Sequence, residues 1–188
     1  LHVLAELVGP ARSVLDVGER GDELALLLPL SEVMSTNIRP PADIVYAGPR
    51  LPFADRSFEV VTSSDVLEHL PAADRQAHVD ELTRVARTRV VIGCPLGSPE
   101  HTESERRIAA AVRDRYGLRL DFLEDHLEFG LPTVAELQGL LARAAPDATI
   151  ELRYHADFRD GEAMLLDGIA ARWGHDPRAL VRVLRRSY

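Results

Sequence analysis

Lysine is missing from this chain: all 22 basic side chains are arginine, set against 30 Asp and Glu. That excludes Schiff-base chemistry and any lysine general base. The net charge of -8 argues against a broad phosphate-binding face, because nucleic-acid binders carry clustered basic surface. No nucleic-acid partner is expected, and small molecules are the expected substrates. A single cysteine, Cys94, excludes an internal disulfide and fits a reducing, cytoplasmic compartment. No apolar run approaches the ~20 residues that a membrane helix needs, so no membrane partner is expected. The chain opens on Leu1 rather than a methionine, so the lack of a leader excludes nothing.

What is present is an ordinary globular composition, 46% hydrophobic and 28% charged over 188 residues. A chain of this length forms one domain, residues 1–188, burying roughly 70% of its unfolded surface. Apolar runs of strand type alternate with helical spacing. Val14 to Val17, Glu32 to Asn37, Ile44 to Ala47, Phe58 to Thr62 and Arg89 to Gly93 read as strands. His2 to Val8, Asp22 to Leu28 and Asp74 to Arg87 read as helices, with Asp80 and Arg84 paired at i, i+4 on the last. The alternation predicts α/β class, with a doubly wound, mostly parallel sheet covered on both faces. Asn37 to Asp43 is too short to hold a helix between the second and third strands.

Beyond Pro95 the pattern turns helical. Thr102-x-x-Glu105 and Thr133-x-x-Glu136 read as capping boxes opening helices. Thr149 to Tyr154 alternates like a late strand, and Leu166, Ile169, Ala170 and Trp173 mark an amphipathic helix. Asp176-Pro177 supplies the start of a final one.

The segment Ser13-Val14-Leu15-Asp16-Val17-Gly18-Glu19-Arg20-Gly21-Asp22-Glu23-Leu24 runs from a strand through a glycine turn into a helix. Such a turn offers backbone N–H groups to a ligand. It resembles the first motif, VLDxGxGxGxL, of the class I S-adenosylmethionine-dependent methyltransferases. The family's second and third glycines fall here on Arg20 and Asp22. Leu51-Pro52-Phe53-Ala54-Asp55-Arg56-Ser57-Phe58-Glu59-Val60-Val61 and Asp65-Val66-Leu67-Glu68-His69-Leu70-Pro71 are similar to the LPFxDxSFDxV and VLEHLP segments of the small-molecule branch that includes ubiquinone-type enzymes. The resemblance covers residues 13–95, the cofactor-binding half. Residues 96–188 would be the substrate-side insert and C-terminal half. It implies a seventh, antiparallel strand that is not found before Tyr188, so that strand is expected to be truncated or replaced.

The resemblance implies S-adenosylmethionine as cofactor, held by Asp16, Gly18, Glu19, Arg20, Gly21, Asn37, Ile38, Ser64, Asp65 and Leu67. Asn37 stands where the family has an acidic residue for the ribose hydroxyls, and Ala47 where it has one for the adenine amine. Arg20 could meet the methionine carboxylate, or its side chain could block the approach to the backbone. His69 is the candidate catalytic residue, as a general base, or else a helix-start histidine that packs on the cofactor or bonds a backbone carbonyl. On the acceptor side stand His101, Glu105, His126 and Glu128. His101 and Glu105 share a helix face and could bind a metal or a sugar hydroxyl, but a solvated helix explains them as simply, and no metal ligand is assigned. Cys94, at a strand end without a cationic neighbour, is read as core. The expected function is methyl transfer to oxygen or nitrogen of a small metabolite. The alternative is a non-catalytic domain of the same fold, acting as a binding or assembly module.

Overall fold

The computed structural model describes residues 2–18, 23–155 and 157–171. Its centre is one parallel sheet of five strands: β1 (Ser13–Val17), β2 (Glu32–Asn37), β3 (Ile44–Val45), β4 (Phe58–Ser64) and β5 (Ala86–Gly93). They lie in the order β3-β2-β1-β4-β5. Val14 stands beside Val33 on one side and Val60 on the other. The strand order therefore reverses between β1 and β4, and in open parallel sheets ligands bind at the carboxyl ends beside such a reversal.

Side chains alternate across the sheet and so build two cores. Val14, Val60 and Val91 face helices α1 (His2–Val8) and α2 (Glu23–Leu27) with Leu4, Val8, Leu24 and Leu28. Leu15, Val17, Phe58 and Val61 face the other way, onto Leu82 and Val85 of α3 (Ala72–Val85). A side chain buried on each face at successive positions is what a central parallel strand requires. No helix joins β2 to β3. Instead the Asp43 carboxylate accepts from the Ser35 N–H at 2.8 Å and the Ser35 hydroxyl at 2.9 Å, holding the short return in place.

The C-terminal half is helical and packs onto α3, the turn after β4 and itself. It holds α4 (Pro99–Tyr116), α5 (Asp121–Phe129), α6 (Val134–Ala144) and α7 (Phe158–Ala171). α6 packs Leu137 and Leu140 onto Val79 of α3 and onto Leu67. α4 and α5 share Ile108, Val112 and Leu123.

Five expectations need correction. The helix expected over Asp74 to Arg87 spans Ala72–Val85, because Ala86 and Arg87 belong to β5, where Ala86 pairs with Phe58 of β4. The helix expected to open at Thr102 starts four residues earlier, because Pro99 fits the first turn and Ser98 Oγ accepts from the His101 N–H at 3.1 Å. Thr102 and Glu105 thus lie inside α4. The strand expected over Thr149 to Tyr154 is irregular chain with Tyr154 69% exposed, and it pairs with no strand among the described residues. Arg84 pairs not with Asp80 but with Glu81 and Asp55, both at 2.7 Å, and donates to the Leu51 and Phe53 carbonyls. This guanidinium fastens the Leu51–Asp55 loop to α3. Asp80 instead accepts from Gln76. The third strand ends at Val45, two residues before the expected Ala47. The Thr133 cap is present, accepting from the Glu136 N–H at 3.2 Å. Trp173 and Asp176-Pro177 lie outside the described residues.

His78 on α3 meets the Ser63 hydroxyl of β4 at 3.1 Å. Burial holds its ring pKa down to about 4. In the unfolded chain an imidazole titrates near ~6.5. The neutral ring's contribution is therefore complete above that pH and is lost as pH falls from about 6.5 to about 4. The loss amounts to about 3 kcal/mol. Urea unfolding across this pH window should show that loss in the native chain, and His78→Gln, which keeps a hydrogen-bonding group, should flatten it.

Candidate active site

Gly18 ends β1 with φ +100°. A Cβ there would lie 2.1 Å from Val66 Cγ2. Only glycine allows both the turn and this approach of backbone to the segment leaving β4. The Gly18 N–H donates to the Thr36 carbonyl at 2.8 Å. Asn37 Nδ2 donates to the Gly18 carbonyl, and Asn37 Oδ1 accepts from the Arg39 N–H at 3.1 Å. The Asn37 amide thus ties the ends of β1 and β2 together. Glu19, Arg20, Gly21 and Asp22 lie outside the described residues.

The other cofactor-side positions separate by depth. Asp16 is buried in β1 and accepts from the Thr62 hydroxyl at 2.6 Å, bracing the floor of the turn. Ser64 ends β4, and Asp65 follows in the left-handed region at φ 55°, its N–H donating to the Gly93 carbonyl. Asp65 reaches solvent, yet the protein around it raises its carboxyl pKa by desolvation. Leu67 is buried in the core beneath α6, whereas Ile38 is 62% exposed at the opposite edge. Ala47 is also exposed.

On the acceptor side, a 3-10 turn at Leu67–His69 brings Glu68 and His69 under α4 and α5. His69 Nδ1 lies 3.1 Å from Asp125 Oδ2. His126 Nδ1 lies 2.7 Å from Glu105 Oε1. The two imidazole centroids are 5.0 Å apart. His101, whose Nδ1 donates to the Leu96 carbonyl at 2.8 Å, stacks on Phe158 and approaches Glu105 from the far side at 3.9 Å. Glu105 and His101 are both buried, so the solvated-helix explanation of this pair fails. Of the four acceptor-side candidates, His101, Glu105 and His126 converge. Glu128 is exposed, because two positions along α5 turn it away from His126.

Two participants were not singled out from the sequence. Glu68 is 1% exposed, and burial first, then the fields of Asp65 and Glu105, push its carboxyl up to about 8. Asp125 is a surface-type residue whose role depends on the turn of α5 that faces His69. Their signals were present only as the Glu68-His69 and Asp125-His126 doublets. Burial lowers the His69 pKa, the neighbouring His126 lowering it further and Asp125 opposing. A neutral ring that gives its Nδ1 proton to Asp125 carries its lone pair on Nε2, the form a general base needs. Burial, followed by Glu68 and Asp65, pushes the Cys94 thiol up to about 12, consistent with an unreactive residue.

Two open hollows, of about 470 and 610 Å³, run along the outer side of α4 among charged residues such as Arg107 and Glu103. Neither includes a strand-end residue.

Gly18→Ala should lower stability by about 2–4 kcal/mol, from the strained φ and the clash together. Adding Val66→Ala should recover the clash component but not the rest. Urea midpoints of the two variants check this.

A family model described as a methyltransferase domain matches residues 24–92. No curated protein matches the chain significantly. Among solved structures, YcgJ from Bacillus subtilis superposes with a TM-score of 0.52 at 16% identity, covering 76% of this chain and 65% of that one. The chain thus spans just under two thirds of that protein. A protein described as a putative methyltransferase from Bacillus halodurans C-125 gives a TM-score of 0.56 at 16% identity, covering 87% of this chain and 77% of that one. At such identities the structural likeness speaks for the fold, and the matched stretch runs from α2 to β5, beginning after the Gly18 turn. The chain thus carries a stretch similar to a methyltransferase domain and shares the fold of these structures.

Proposed function

We propose that the chain transfers a methyl group from S-adenosylmethionine to an oxygen or nitrogen of a small metabolite. The observation that carries the reading is the pairing of two features at one end of the sheet. The Gly18 turn lies at the strand-order reversal, and the His69–Asp125 pair stands beyond Ser64 on the same side. Gly18, Asn37, Ser64 and Asp65 would border the cofactor, and Glu19, Arg20 and Gly21 are proposed to contact it. His69, His101, Glu105 and His126 would face the acceptor. Methyl transfer is an in-line displacement, so alignment and exclusion of water do most of the catalysis. His69 would take the acceptor's proton on Nε2, and Asp125 would stabilise the imidazolium that forms. The single cysteine and acidic balance agree with cytoplasmic work on a small molecule.

A second reading draws on Asn37. Its amide is engaged with Gly18 and Arg39, and it is neutral where the family's acidic residue would grip a ribose. That favours a domain that kept the fold and serves as a binding or assembly module. Calorimetric titration with S-adenosylhomocysteine separates the two. Methyl transfer requires binding at micromolar strength, about -8 kcal/mol. No binding to the native chain, with recovery in Arg20→Gly, would establish the non-catalytic module.

A further inference from the structure

We propose that Glu68, His69 and His126 form a binding site for a divalent transition-metal ion of the zinc type, set between the 3-10 turn and α5. One donor atom from each of these side chains lies within 4.8 Å of the other two. A tetrahedral zinc ion with donors at ~2.0–2.2 Å holds them about 3.4 Å apart, so small side-chain rotations close the set onto an ion.

The hydrogen bonds around the cluster are those of metal-ligating histidines. Each imidazole is held at Nδ1 by a carboxylate, His69 by Asp125 and His126 by Glu105. That arrangement fixes the tautomer and leaves Nε2 as the donor, as in carboxylate–histidine–metal triads. His126 Nε2 is buried without a hydrogen-bond partner, and so is Glu68 Oε2. Both belong to side chains more than nine-tenths buried. An unpartnered acceptor costs free energy in the interior, and here two of them belong to one cluster.

Charge points the same way. Glu68 and Glu105 are both buried, each with an oxygen lacking a partner. The guanidinium whose field reaches Glu68 belongs to Arg75, and it is committed to the Leu67, Leu70, Phe129 and Gly130 carbonyls and to Glu136. A bound cation would supply the missing positive charge. Two histidines and one carboxylate leave at least one coordination position open. If the methyl-transfer reading holds, that position would take an acceptor hydroxyl and lower its pKa, and in the metal-bound form His69, its Nε2 on the ion, would not serve as the base. The metal site itself does not depend on that reading.

The test titrates the metal-free full chain with ZnCl₂ by calorimetry and with CoCl₂ by visible absorption. The site requires one equivalent of Zn²⁺ at micromolar affinity or tighter, and Co²⁺ bands of four- or five-coordinate intensity. Glu68→Gln and His126→Gln should each weaken Zn²⁺ by about 100-fold, and Glu105→Gln by about 10–100-fold through His126 alone. Circular dichroism confirms that each variant folds. Octahedral-type Co²⁺ spectra, substoichiometric uptake, or undiminished affinity in the folded variants would overturn the site. A parallel S-adenosylhomocysteine titration separates the failures, because cofactor binding without metal binding removes only the metal site.

Discussion

One buried guanidinium ties the turn after β4 to the helical C-terminal half. Arg75, at the start of α3, is 2% exposed. Its Nε donates to the Leu67 and Leu70 carbonyls at 3.0 and 3.1 Å, Nη2 to the Phe129 and Gly130 carbonyls, and Nη1 to Glu136 at 2.9 Å. Those partners are the 3-10 turn after β4, the end of α5 and the start of α6. A planar fork of donors suits this task, and a lysine could not span it. Buried carbonyls at helix and turn ends need partners, and a single charged donor set satisfies four of them. Removing it would leave those carbonyls and Glu136 uncompensated together.

Everything chemically interesting there hangs from the same staple. Glu68 and His69 lie within the turn that Arg75 clasps, and His126 and Asp125 lie one turn before the α5 end that it clasps. The distance between the two histidines follows from the relative placement of these segments. The carboxylates then settle orientation. Glu105 reaches from α4 to His126, and Asp125 from α5 to His69. At the Gly18 turn the constraint is steric. Gly18 lets Val66 come close, and the Asn37 amide locks the β1 and β2 ends.

The sheet was legible because each strand carries its own signal. α1 and β2 match the expected bounds at both ends, and β1, β4 and β5 were found short by one to three residues at an end. The missing β2–β3 helix followed from chain length, since six residues cannot both turn and coil. The C-terminal half was less legible for a local reason. A Ser-Pro start at Ser98-Pro99 outcompeted the Thr102 box, and alternation at Thr149–Tyr154 could not show whether a sheet edge was available. His101, Glu105 and His126 were readable as acceptor-side residues from their position after β5. Their convergence was not, because i, i+4 spacing places two residues on one face without saying whether that face is wet. Arg75 and Asp125 read as surface residues by type, and long-range partners alone make them structural.

The central claim is that Arg75 couples the turn to α5. Amide hydrogen exchange on Arg75→Met, compared with the native chain, tests it most directly. Protection should fall together in residues 67–70 and 121–136, while β1, β4 and β5 keep theirs. Protection lost in only one of the two segments, unchanged in both, or lost evenly through the sheet would contradict the claim.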